Sequence, residues 1–83
     1  RAIDTFTMGL AKEVAAEGIR VNAVRPGFID TEIHAPGRLD RMVNLVPMGR
    51  AGTAAEVAEA ILWLLSDKSS YTSGAFIDIL GGR

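Results

Sequence analysis

The run Ile19-Arg20-Val21-Asn22-Ala23-Val24, followed at once by Arg25-Pro26-Gly27, constrains this chain more than any other stretch. A short apolar segment of this length, rich in β-branched residues, reads as a buried strand. Pro26 is expected to end it, because proline lacks the N–H that a central ladder needs and fixes its own φ. Gly27 follows, free to adopt φ > 0 and to let a ligand come close to the backbone. In open α/β sheets ligands bind outside the carboxyl ends of the strands, and this turn is expected at such an end. An ordinary strand-ending turn has the same local chemistry, so the neighbouring segments must decide between the two.

Before the strand, Ile3, Phe6, Leu10 and Val14 recur at helical spacing with Ala11 and Ala15 beside them. That pattern predicts an amphipathic helix over Ala2 to Glu17, closed by Gly18 as the left-handed C′ residue, its stripe packed on a sheet. Phe6 or Met8 meeting a partner helix is the alternative. After the turn, Phe28 to Pro36 mixes polar and apolar residues and holds the chain's one histidine, His34. Arg38 to Leu45 is a weak helix with Leu39, Met42 and Val43 on one side. Pro36, Gly37, Pro47 and Gly49 bracket it, which is how a mobile flap between hinges is written. A surface loop with a turn or two of helix fits the same residues.

Thr53-Ala54-Ala55-Glu56 has the form of a capping box. The helix it opens is expected to run to about Ser66 and, being apolar nearly all round, to be buried on more than one side, against a sheet and against another subunit or segment. Asp67 to Ser73 reads as a polar loop, and Ala75 to Leu80 as a second buried strand before Gly81-Gly82-Arg83. Two strands joined by such a crossover should lie parallel with a right-handed connection. A two-stranded parallel sheet is not a stable unit by itself, so the fold logic asks for further strands.

Composition agrees. With 83 residues the chain buries only about 60–65% of its unfolded surface, yet 48% of its residues are apolar and its mean hydropathy is +0.21. That is the composition of a piece of a larger core. The sequence opens on Arg1, inside the expected helix, with neither an initiator Met nor a signal peptide, and reads as truncated on that side. A net charge of −1, with nine scattered Lys and Arg, provides no basic field for nucleic acid. The absence of cysteine excludes a disulfide framework and suits a reducing, cytoplasmic setting. The longest apolar run falls far short of the roughly 20 residues that span a bilayer, so no membrane partner is expected. Asp30, Glu32 and Asp40 lack metal-ligand spacing, and no metal is expected.

Four segments in order carry a family likeness. They are Ala2-Ile3-Asp4-Thr5-Phe6-Thr7 with Leu10-Ala11-Lys12-Glu13; Gly18 through Gly27 with Thr31; Pro47-Met48-Gly49-Arg50 with Glu56-Val57-Ala58; and Tyr71-x-x-Gly74 with Gly81-Gly82. Together they resemble the C-terminal third of a short-chain dehydrogenase/reductase. The resemblance implies an α/β fold: the C-terminal part of a Rossmann-like doubly wound parallel sheet, ordered helix, strand, helical flap, helix, strand, and incomplete alone. Residues 1–83 would be one segment of a single NAD(P)-binding domain. It further implies that Pro26 and Gly27 shape a wall along the nicotinamide of NAD or NADP. The Ile29 backbone would bond the carboxamide, and the Thr31 hydroxyl would reach the carboxamide or the pyrophosphate. Phe28, His34, Leu39 and Met42 would fall in the loop that meets an alcohol or carbonyl substrate. Arg25, where many members carry a small residue, is given no chemistry and is expected to point to the back of the sheet or to a neighbour. The family also implies a homo-oligomer, a tetramer, through the first and last long helices and the last strand.

The departure from the family is large. The sequence has no Gly-rich phosphate loop, no Asn-Ala-Gly and no Tyr-x-x-x-Lys, and the residue four places after Tyr71 is Ala75. The chain by itself is therefore expected to be inactive. A non-catalytic fragment serving only as an oligomerisation module is the alternative reading.

Overall fold

The first helix, α1, spans Ala2–Val14 and tightens into a 3-10 turn over Ala15–Glu17, which Gly18 closes at φ 78°. This computed structural model describes residues 2–31 and 37–83. Strand β1 is Ala23–Pro26, β2 is Ile29–Asp30, helix α2 is Arg38–Val43, β3 is Gly52–Thr53, α3 is Ala54–Leu65 and β4 is Phe76–Ile79, with a 3-10 turn at Asp67–Ser69. β1 and β4 pair in parallel with Ala23 opposite Phe76 and Pro26 opposite Ile79. β2 and β3 form a second, two-residue parallel pair, Ile29 opposite Gly52. The α/β class and the parallel order stand as the sequence predicts, and the second pair is an addition.

The first strand is displaced towards its carboxyl end. It occupies Ala23–Pro26 rather than Ile19–Val24, and Ile19 is exposed. Side chains explain the shift. Opposite Val21 and Asn22 the chain is still turning through Ser73 and Gly74, so hydroxyl and amide groups stand in for ladder bonds. The Val21 N–H donates to Ser73 Oγ at 3.1 Å, Asn22 Nδ2 to the Thr72 carbonyl at 3.0 Å, and the Ala75 N–H to Asn22 Oδ1 at 2.9 Å. One backbone bond is made there, from the Gly74 N–H to the Val21 carbonyl at 2.7 Å, and the regular ladder begins with Ala23, whose N–H reaches the Ala75 carbonyl at 3.0 Å.

Pro26 ends the strand as expected, but from inside it, as the last paired residue of β1 opposite Ile79. Ala23 and Gly27 both donate to the β4 side, Gly27 to the Ile79 carbonyl at 2.9 Å. Donors alternate between the two edges of a strand, so the N–H that Pro26 lacks falls on the edge away from β4 and costs this pair nothing. Gly27, too, differs from expectation: it is not among the glycines with positive φ. Its need is space, because a Cβ there would stand 3.1 Å from Leu80 Cδ2 and 3.3 Å from Leu80 Cα.

The helices bury less than their apolar stripes promise. On α1 the buried residues are Thr7 and Ala11, while Ile3 (59% exposed) and Phe6 (63%) face outward with Met8. Asp4, Thr7 and Ala11 form the face that meets the sheet; Arg25 bonds Asp4 at 3.2 Å, and Ala11 packs beside Gly74. Thr7 suits that contact because its hydroxyl donates to the Ile3 carbonyl at 2.8 Å. On α3 only Leu64 is buried, and Ile61, Leu62, Trp63 and Leu65 are exposed. Within these residues two strands cover one side of a helix that is apolar nearly all round, and the rest of its apolar surface is left open. The radius of gyration, 15.3 Å, exceeds the roughly 12 Å of a compact unit of this length.

Candidate functional site at the carboxyl ends of the strands

Because β1 and β4 run parallel, the residues that follow each strand emerge on the same side. Gly27 leaves β1 tied to Ile79, the last residue of β4, and Leu80 packs on it. Beyond that point lies a hollow of about 460 Å³. Pro26, Gly27, Phe28, Ile29 and Thr31 form one wall; Arg38 and Met42 of α2 and Val46 form a second; Leu80 and Arg83 complete it. Six of the eight residues singled out from the sequence thus meet at one place. Leu39 lies on α2, and His34 falls outside the described residues.

Local structure holds these walls. The Gly52 N–H donates to the Phe28 carbonyl at 3.0 Å, and a Cβ on Gly52 would stand 2.9 Å from Ile29 Cδ1, so glycine is what allows β3 to lie against β2. Val46, next to the flap, is buried at 7% exposed. Its partner is the tail: a Cβ on Gly81 (φ 62°) would lie 2.6 Å from Val46 Cγ1, and the Met48 N–H donates to the Gly81 carbonyl at 3.0 Å. The flap's second hinge is therefore seated on Gly81-Gly82.

The charged groups around the site are organised in two sets. Arg50 bonds both carboxylate oxygens of Glu56, at 2.8 and 2.9 Å, while Glu56 closes the capping box with Thr53. The Arg50 hydrogen bond, followed by that from the Thr53 N–H, holds the Glu56 carboxyl at about 2, and Glu56 raises Arg50 in return. This pair lies in an adjoining groove of about 470 Å³ that shares Phe28, Val46, Leu80 and Arg83 with the hollow. On the sheet, Arg25 bonds Asp78 at 2.6 Å across β1–β4 and Asp4 of α1 at 3.2 Å, with its guanidinium 4.8 Å from the Phe76 ring centre. Arg25 is a tie between sheet and helix.

Sequence reasoning gave no part in the site to Leu80, which it placed at the end of the last strand, to Arg83, which it treated as a closing tail, or to Val46, and it included Arg38 only as one of the residues His34 to Leu45 of the substrate loop. The signal for the first two was present: in a parallel pair, whatever follows the last strand lies beside whatever follows the first. Among the described residues no group of three His, Cys, Asp or Glu is placed to hold a metal ion, and no helix is long and apolar enough to cross a membrane.

Comparison with known proteins places this geometry. The family model described as enoyl-(acyl carrier protein) reductase matches residues 1–83. An uncharacterised oxidoreductase of Escherichia coli, YgfF, is 64% identical over 99% of the chain, which covers 35% of that protein. The 3-oxoacyl-[acyl-carrier-protein] reductase FabG of Chlamydia muridarum is 44% identical over 93% of the chain and 32% of its own length. The crystal structure of a 3-oxoacyl-[acyl-carrier protein] reductase from Brucella melitensis superposes with a TM-score of 0.90 at 45% identity, over 98% of this chain and 31% of that one. The chain spans about a third of the length of the curated relatives it matches. Its residues, its parallel strand order and these relatives together make it a member of the short-chain dehydrogenase/reductase family.

Proposed function

We propose that these residues are the C-terminal segment of a single Rossmann-type domain in an NAD(P)-dependent oxidoreductase of the cytoplasm. In this reading they supply the nicotinamide wall, the substrate flap and oligomer contacts. The carrying observation is the convergence of Pro26, Gly27, Phe28, Ile29, Thr31 and Met42 on one hollow beyond the carboxyl ends of two parallel strands. The fit is chemical as well as positional. A nicotinamide ring needs a flat apolar wall with hydrogen-bonding groups at its rim, and Pro26-Gly27 with the Thr31 hydroxyl has that make-up.

The coenzyme, when bound, supplies or accepts the hydride exchanged with an alcohol or carbonyl carbon. The residues here orient it. Pro26 and Gly27 bear on the ring, the Ile29 backbone and Thr31 fix the carboxamide or pyrophosphate, and Phe28 with the His34–Leu45 flap closes over the substrate. The proton-transferring Tyr of the family, with its Ser and Lys, has no counterpart in this sequence, so the 83 residues alone are inactive. The exposed faces of α1 and α3, with Phe6, Leu62 and Leu65, support a tetrameric assembly. They equally support the second reading, an oligomerisation module without catalysis.

Intact mass and turnover of the native polypeptide separate the two. The enzyme reading expects a mass about three times 8.8 kDa, given the share of the relatives that is covered, and oxidation of NADH or NADPH with a 3-oxo compound. A native mass of 8.8 kDa with no companion chain, and no turnover, would leave only the module.

A further inference from the structure

The arginines of this chain differ in what holds them. Arg20 donates to Ser69 Oγ and to the Thr72 and Ser66 carbonyls; Arg25 is held by Asp4 and Asp78, and Arg50 by Glu56. Arg38 and Arg83 both line the hollow, and among the described residues neither side chain has a hydrogen-bond or ion-pair partner. No acidic residue is among those lining it. Among the described residues, then, two arginines line one cleft whose other walls are apolar apart from Thr31, with no carboxylate among the residues that line it.

The positions of the two are set by structure. Arg38 is the first residue of α2, and Arg83 follows the Gly81-Gly82 turn, its N–H donating to the Leu80 carbonyl at 3.2 Å. Gly82 is pressed against Pro47, where a Cβ would come within 3.1 Å of Pro47 Cβ, and Gly81 sits against Val46. The flap's second hinge and the tail are therefore packed on each other, and Arg38 at the start of α2 and Arg83 at the end of the tail line the same cleft. A guanidinium presents paired N–H groups matched to a carboxylate or phosphate, and a cleft with apolar walls strengthens that attraction.

We infer that Arg38 and Arg83 form an anion site in this hollow, which takes the carboxylate or phosphate of a ligand that also reaches the Pro26–Thr31 wall. The inference rests on the reading of that wall as a coenzyme and substrate site. The anion has two possible sources, a negatively charged group on the carbonyl substrate or the phosphates of the coenzyme.

Inorganic pyrophosphate, titrated calorimetrically into the native polypeptide, tests the site without any need for turnover. Binding should weaken about tenfold or more in both Arg38→Ala and Arg83→Ala and be largely kept in the lysine variants. No binding by the wild type, or equal binding by wild type and both alanine variants of native fold, overturns the proposal. Kinetics with acetoacetate and its neutral ethyl ester then assign the source. A KM rise of about tenfold for acetoacetate alone assigns the anion to the substrate, and a rise for NADH or NADPH with both carbonyl compounds assigns it to the coenzyme. Unchanged KM values throughout overturn a role in turnover. Wild-type protein that binds pyrophosphate but oxidises neither coenzyme refutes the oxidoreductase reading while leaving the anion site standing.

Discussion

A methyl group at position 27 would stand 3.1 Å from Leu80 Cδ2 and 3.5 Å from the Ile79 carbonyl oxygen. Leu80 Cα at 3.3 Å and the Ile79 carbonyl oxygen are backbone and leave little room to yield, so Gly27→Val should push β1 and β4 apart where the hollow opens. Overpacking of this kind costs about 1–3 kcal/mol, and chemical denaturation of the native polypeptide should show it together with a fall in kcat/KM. Unchanged stability would mean that the tail moves freely away from the turn. Thr31 tests the polar rim of the same wall. Losing one hydrogen bond worth about 0.5–1.5 kcal/mol predicts that Thr31→Ala raises the coenzyme KM by about 2- to 13-fold with little change in kcat. An unaltered KM would remove Thr31 from the site. Proline and glycine could be read as the mouth of a ligand edge from the sequence alone. What could not be read was that Gly27 serves by lacking a side chain rather than by its φ, since that depends on Leu80, 53 positions further along the chain.

Among the elements, α3 was the most legible, because its capping box is a local device whose parts lie three residues apart. The start of β1 was the least legible. Its apolar run is continuous from Ile19, but where pairing begins is decided by Asn22, Ser73 and Gly74 on the opposing segment. The β2–β3 pair escaped notice for a similar reason, being two residues long and dependent on Gly52 lacking a Cβ. At the start of α3, Glu56 links the cap to Arg50, and its carboxyl is lowered from 4.5 to about 2. A folded-state pKa below that of the unfolded chain stabilises fully above about pH 4.5, and the contribution is lost as the pH falls towards about 2. Glu56→Gln keeps the reach back to the Thr53 N–H but discards the charge. Its denaturation midpoint should therefore trail wild type by a constant margin near neutral pH, and the two should converge below about pH 4.5. A margin independent of pH would show that the Arg50 pair contributes nothing.

At the scale of the molecule, the apolar side chains below a tenth exposed among the described residues are Ala11, Val46 and Leu64, while Leu65 is 75% exposed. The sequence signalled this imbalance through its apolar content. It could not say which faces would be left open, because a helical stripe looks the same whether its partner is a sheet, a second helix or another copy. With the faces of α1 and α3 uncovered and β1 paired on one side, the 83 residues expressed alone should self-associate or aggregate. Light scattering coupled to size exclusion measures this directly. A monodisperse 8.8 kDa monomer that melts cooperatively would contradict it.

The register of β1 with β4 also has a kinetic side. Ala23 finds Phe76 only after the 52 intervening residues have been looped out, an ordering cost that grows as the logarithm of length and amounts to about 3.5 kcal/mol before any contact is made. Helix α3 and its cap can form within the loop beforehand, since their bonds are local. The hollow cannot. Its walls come from the residues that follow each strand, so the site comes into being in the same late step that closes the sheet.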